Sequence, residues 1–256
     1  MTDFSTRLRR ATMVEHREAE TRSFISRLMA GDVPVAGFAA LTAQYLAVYR
    51  ELEAAAARMR ADAVADEVQA AGQAPGKAVG SAAAHAAGHA GHAAALAPEI
   101  VSAFADPALT RAPALEADLA HLYGADWEST ITVLDSTLAY TDRLRELAAT
   151  SATHFIAHHY VRYLGDLSGG QMIGRTLAKH YGLGEAGTSF YRFEQIPDPR
   201  AYKIAYRERL DALDLTDDQA TTLIDEAQLA FRYNAAVFVE LGARYPENPE
   251  DLAPAA

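Results

Sequence analysis

The stretch HFIAHHYVRYLGDLSGGQMIGRTLAKHYG, residues 154–182, decides the fold. Its Phe, Ile, Tyr and Leu positions recur at helical spacing. Yet Gly165, Gly169, Gly170 and Gly174 all fall within ten residues. Each glycine costs a helix interior about 1 kcal/mol relative to alanine, so something must offset them. Gly165 and Gly169 stand one turn apart on one face. Missing side chains there let backbone approach a flat or bulky object and permit a kink. Close packing of helix on helix uses the same spacing, and spacing alone leaves both readings open. Asp166 lies beside the cleared face in an otherwise apolar turn. A carboxylate in that setting needs donors or water, and an acid that holds water beside an open face suits proton delivery.

Outward from this helix, strand-like alternation is nearly absent and helical periodicity is common. The expected fold is all-α, a single-domain multi-helix bundle. A first helix is expected from Ser5 to Ala30, stopped by Gly31, and a second from near Pro34 past Leu52, since proline suits a first helical turn. Further helices are expected at about 112–123, 136–147, 152–181, 200–213 and 217–241. Thr216-Asp217-Asp218-Gln219 has the form of a capping box. The helical domain is placed at residues 1–245, with 246–256 a disordered tail. Between about Asp62 and Pro98 alanine and glycine dominate. This stretch is expected to be a mobile insertion or a loose helix, because it has few side chains to bury a core face, and residues 62–109 are set apart as an insertion or mobile segment of the domain. His85, His89 and His92 fall in it at i, i+4, i+7. They fit either a metal-chelating helical face or a low-complexity linker that contains histidine.

Composition excludes several classes. The net charge of −11 gives no general attraction to phosphate, so nucleic-acid binding is not expected. There is no cysteine, which removes disulfides, thiolate metal sites, iron–sulfur clusters and cysteine nucleophiles. The N-terminus is too charged for a secretory signal. The uncharged run 78–98 is too rich in Ala, Gly and His to cross a bilayer. With a polar C-terminus, no membrane anchor is expected, and a cytoplasmic location follows as the expectation. LSGGQ, Leu167 to Gln171, also marks ATP-binding cassettes. Those need G-x-x-x-x-G-K-[ST] after a strand. The nearest stretch, GQAPGKA from Gly72 to Ala78, is one residue short between its glycines and has no Ser or Thr after Lys77.

The run HHYVRYLGDLSGGQ, His158 to Gln171, closely resembles the distal-helix signature of the haem oxygenases. His16 followed by Glu20 is similar to the family's proximal histidine and the carboxylate one turn on. Tyr202-Lys203 through Tyr206-Arg207-Glu208 resembles its basic helix. Phe231 and Asn234, followed by Val237 and Phe238, resemble its final helix. The likeness covers most of the chain apart from about Asp62 to Leu109.

The resemblance implies a haem oxygenase-type bundle, with haem b held between a proximal N-terminal helix and a glycine-kinked distal helix. The reaction implied is oxidative cleavage of haem to biliverdin, with release of carbon monoxide and ferrous iron. It would use O2 and electrons from an external ferredoxin or flavoprotein reductase, and iron acquisition is the purpose expected. His16 would bind the iron, with Glu20 fixing its tautomer. Arg9, Lys203 and Arg207 would meet the propionates, because guanidinium and carboxylate pair in two parallel hydrogen bonds. Tyr160 would stand near that edge, and Phe231 and Asn234 would complete the haem contacts. Gly165 and Gly169 would crowd the distal ligand with backbone, Asp166 would organise water, and Arg162 would support that network. Met13 departs from relatives that are basic at this position, which weakens propionate anchoring or redistributes it. A non-enzymatic haem carrier or sensor on the same scaffold is the alternative; it has no need of Asp166 beside two glycines.

Overall fold

Helix starts and stops follow the local chemistry of the chain in a computed structural model that describes residues 3–72, 98–148 and 151–248. Helices α1 (Phe4–Ala11), α2 (Met13–Glu20) and α3 (Ser23–Ala30) replace the single N-terminal helix expected from Ser5 to Ala30. Threonines mark the breaks. Thr12 Oγ1 donates to the Leu8 carbonyl at 3.0 Å and Thr21 Oγ1 to the Arg17 carbonyl at 2.9 Å. Such back-bonding competes with the helical ladder and bends it. Gly31 ends α3 in the left-handed region at φ 86°, where L side chains are strained.

Helix α4 spans Val35–Gly72, beginning one residue after Pro34. It is the central pillar, with Phe38, Leu41, Leu46, Tyr49 and Leu52 all buried. The described residues at the two ends of the 62–109 segment are mostly helical. Alanine-rich sequence is strongly helix-forming, and α4 continues through residue 72. At the far end, α5 (Pro98–Phe104) and a 3₁₀ turn at Pro107–Leu109 return to the core through Val101, Phe104 and Leu109. His85, His89 and His92 lie outside the described residues, as do residues 249–256 of the expected tail.

Helices α6 (Ala112–Tyr123) and α8 (Asp135–Arg143) then pack along α4, with the short α7 (Trp127–Thr130) against α6 and α8 running on into a π turn at Leu144–Ala148. The 154–182 stretch is helical throughout but not regular. It comprises α9 (Ala152–His159), two π turns at Tyr160–Leu164 and Asp166–Gly170, and α10 (Gln171–Tyr181). π turns inside helices collect at functional sites. Asp198 caps α11 (Pro199–Asp211) by accepting from the Arg200 and Ala201 amides, both at 2.9 Å. The capping box at Thr216–Gln219 is formed and opens α12 (Asp217–Arg244). Helix α12 packs against α2, α3, α8 and α9 and so joins the N-terminal helices to the 154–182 helix. Among the described residues there is no strand, and no helix is long and apolar enough to cross a membrane.

Candidate active site

A cavity of about 660 Å³ opens between α1–α2 and the two π turns, with α11 and α12 closing its ends. That is within the ~300–1,000 Å³ range of small-molecule sites. Arg9, Met13, His16 and Glu20 line one wall; Tyr160, Gly165, Asp166 and Gly169 line the other; Arg207 and Phe231 complete it. Residues far apart in sequence are thus brought together as the spacing and resemblance implied.

On the α2 wall, His16 is about half exposed, with its Nδ1 3.2 Å from a Glu20 carboxylate oxygen. A carboxylate at that distance favours the tautomer protonated at Nδ1, in which Nε2 carries the lone pair. Phe231 meets the imidazole edge-on, with ring centroids 5.3 Å apart, and limits its rotation. Gln228 Nε2 donates to the Ala11 carbonyl at 2.8 Å and ties the α1–α2 junction to α12.

The opposite wall is cleared of side chains. A Cβ at Gly165 would meet nothing within 4 Å, and one at Gly169 only Ile173 Cδ1 at 3.8 Å. These two glycines therefore serve the cavity. Gly174 does serve packing, since its Cβ would fall 2.7 Å from Tyr191 Cβ. Asp166, half-buried beside the gap, accepts a hydrogen bond from Tyr49 Oη. Burial raises its carboxyl above the usual range, and the Arg162 cation partly offsets this. Arg162 is buried, donates to Asn234 Oδ1 at 2.6 Å, and lies over the rings of Tyr45 and Tyr49 at 4.4 and 4.8 Å. Its Nε and Nη2 have no partner among the described residues. Buried donors of that kind are ordinarily met by water.

At the α11 end, Tyr160 stands against Thr12 with Arg207 and Arg9 near, and burial raises its phenol. Two expected contacts are absent from the cavity wall. Lys203 lies one turn back along α11, where its carbonyl accepts from Arg207 at 3.4 Å. Asn234 is buried, with its Oδ1 accepting from Arg162. Tyr49 and Tyr45, on α4, are site residues the sequence reading did not find, and so is Arg17, which lines the cavity beside His16. Asp166 and Tyr49 are 117 residues apart, and nothing in either local pattern signals the pairing.

The cavity fits haem. It has a flat gap bounded by backbone, an imidazole with one nitrogen available, apolar walls from Met13, Leu164 and Phe231, and guanidinium groups for carboxylates. No cluster of three or more metal-ligating side chains occurs among the described residues.

Comparison with known proteins agrees. The Heme oxygenase family model matches residues 2–73 and 92–240. Over 245 residues the chain is 30% identical to a heme oxygenase of Rhodella violacea, covering 95% of this chain and 89% of that one. A shorter stretch of 135 residues is 40% identical to heme oxygenase 1 of Synechocystis, 53% of this chain and 56% of the relative. The crystal structure of the Synechocystis heme oxygenase-1 in complex with heme superposes with a TM-score of 0.77 at 29% identity, covering 95% and 94% of the two chains. With its family model, a relative matched along nearly its whole length and a shared all-α fold, this chain belongs to the heme oxygenase family and is an oxidoreductase of haem.

Proposed function

We propose that the cavity between α2 and the π turns binds haem through His16 and that the 154–182 helix directs its oxidative opening. The products are those of the family: biliverdin, carbon monoxide and ferrous iron. Bound haem supplies the iron at which O2 is activated and is itself the molecule consumed. The observation that carries the reading is the pairing across one cavity of a Glu20-oriented imidazole with Gly165 and Gly169, which leave the facing wall bare.

The residues divide the work. His16 offers Nε2, and Glu20 holds the tautomer that makes Nε2 the acceptor. Arg9 and Arg207, with Tyr160 between them, receive carboxylate at the α11 end. Gly165 and Gly169 would let backbone lie close to the bound haem and limit the room for water there. Asp166 holds a proton-bearing water at its carboxylate, with Tyr49 donating to the same group and Arg162 setting its charge. Asn234 positions Arg162. Electrons come from outside the chain, from a ferredoxin or a flavoprotein reductase, and iron acquisition in the cytoplasm is the proposed role. The 73–97 segment is proposed as an insertion that the reaction does not use.

The test is an absorption titration of the full chain with hemin, followed by ascorbate in air. The expected result is a one-to-one complex whose Soret band decays into a biliverdin spectrum, with His16→Ala losing the imidazole-ligand spectrum. A complex that never decays favours the carrier or sensor reading, and an unchanged spectrum in His16→Ala assigns the iron to another ligand.

A further inference from the structure

Helix α2 has little of its own to hold its direction. It has eight residues, Met13–Glu20, and buries Ala19. A helix that short is marginal without outside contacts. At both ends the backbone leaves the helical well, with Thr12 at φ −96°, ψ 3° and Thr21 at φ −90°, ψ 2°. Helix α2 is thus a rod between two bends, with His16 at its middle. Whatever fixes the Thr12 bend fixes where the imidazole points.

Gln228 reaches that bend from α12. Its Nε2 donates to the Ala11 carbonyl at 2.8 Å, across 217 residues of sequence. On the other side of the bend Thr12 is buried, with its hydroxyl on the Leu8 carbonyl at 3.0 Å and Tyr160 beside it. Gln228 stands on a firm base, since Ala227 and Ala230 of α12 are fully buried. Phe231 and Arg232 follow it at i+3 and i+4, on the same face. Phe231 meets the His16 ring edge-on, and Arg232 faces Glu15 at 3.7 Å. That ion pair is long and its arginine is exposed, and such pairs hold little. Phe231 restrains the ring but not the backbone that carries it. The Gln228 bond acts on the backbone itself. Gln228 does not line the cavity, so it acts on a ligand there only through its neighbours.

We infer that Gln228 is a positioning residue for His16: by holding the Ala11 carbonyl it sets the angle at which α2 presents the imidazole to the cavity. The inference rests on His16 being the iron ligand. Ala11 and His16 are about 7.5 Å apart along the axis, so a turn of about 10° at the bend moves the imidazole by about 1 Å. Metal–ligand distances hold to within about 0.2 Å, so a shift of that size weakens the bond. Without the Gln228 contact, α2 takes several angles and the iron–imidazole bond becomes weaker and less uniform.

The experiment uses two substitutions in the full chain. Gln228→Glu keeps the size and removes the donated hydrogen, and Gln228→Ala removes the side chain. Each is made in wild type and in His16→Ala, and each chain is titrated with hemin by absorption. With His16 present, both are expected to weaken hemin binding about fivefold, the scale of one neutral hydrogen bond. In His16→Ala the same changes are expected to alter affinity by less than about twofold, since residues that act as a unit are not additive. Resonance Raman spectra of the ferrous complexes are expected to show the iron–imidazole stretch lower and broader in both variants than in wild type. Equal losses with and without His16, no loss in either background, or an unchanged stretching band alongside a lower Tm overturns the assignment. A wild-type chain that binds no hemin, or a His16→Ala chain that keeps the band, overturns the His16 reading itself.

Discussion

The two walls of the cavity are built in opposite ways. On α2, Ala19 is the one buried residue, and His16 and Glu20 are largely in solvent. On the facing helix, all of α9 except His154 is buried, and Val161, Arg162, Tyr163 and Leu164 continue the buried run. The α2 wall takes its geometry from a few contacts: Glu20 and Phe231 on His16, Gln228 on the α1–α2 junction, and a weak Arg232–Glu15 pair at 3.7 Å. The 154–182 wall takes its geometry from the core. A ligand-gripping wall gains from yielding, since it must open to admit a large flat molecule and release its product. A wall that holds a carboxylate and a buried cation at fixed places must not yield, because misplaced catalytic groups lose rate steeply.

The sharpest way to break this contrast is Asp166→Ala. It removes the acid from the rigid wall without touching the α2 grip. Hemin affinity is expected to stay within about threefold while biliverdin formation falls by 10² or more, the scale of a lost proton-transfer group. Single-turnover absorbance measures both, and normal biliverdin yield would show that the rigid wall needs no acid.

Glu226→Gln probes what makes that wall rigid. Glu226 is buried and accepts from Arg143 Nη2 at 2.6 Å and from His158 Nε2 at 2.9 Å, while Tyr140 donates to His158 Nδ1 at 3.2 Å. Burial works to raise its carboxyl, yet these donors hold it down at about 2. Breaking one partner of a buried pair costs roughly 3 kcal/mol, a fall of about 8 °C in Tm for a chain of this length. The sign with pH follows. A depressed carboxyl stabilises the fold fully above its ordinary value of 4.5, and that contribution fades as pH falls from 4.5 through about 2. Thermal melts of wild type should drop more steeply across that window than those of Glu226→Gln; parallel curves would remove Glu226 from the explanation.

The smallest expected effect separates stability from function. Gly165→Ala adds a methyl where no protein atom lies within 4 Å and improves helix propensity by about 1 kcal/mol. Tm is expected to rise by about 3 °C while hemin turnover falls several-fold, because the methyl stands in the substrate's space. A lower Tm, measured by the same melts, would mean that Gly165 serves the fold.

The 154–182 stretch was legible because its local rules conflict: helix-forming neighbours around helix-weakening glycines, with an acid among them. Thr216 and Gln219 were legible because a capping box is complete within four residues. The break at Thr12 and Thr21 was not, since either threonine is compatible with a straight helix until its hydroxyl commits to the preceding turn. The 62–109 segment was legible only as an insertion or a loose helix, because alanine-rich composition permits both; among its described residues the buried side chains Val101, Phe104 and Leu109 lie at its far end.

Sequence by itself determined the helical class, the resemblance to a family and the candidates that meet in one cavity: His16, Glu20, Gly165, Asp166 and Gly169. These depend on period, spacing and side-chain chemistry, all local properties of the chain. Tertiary structure alone decided the rest. It joined Tyr49 to Asp166, set Asn234 against Arg162, placed Lys203 one turn from Arg207 along α11, and put Arg17 on the cavity wall. A helix pattern fixes which face a residue occupies, but which neighbour covers that face depends on how bends and π turns set the helices against one another, and that is settled by packing across the whole core.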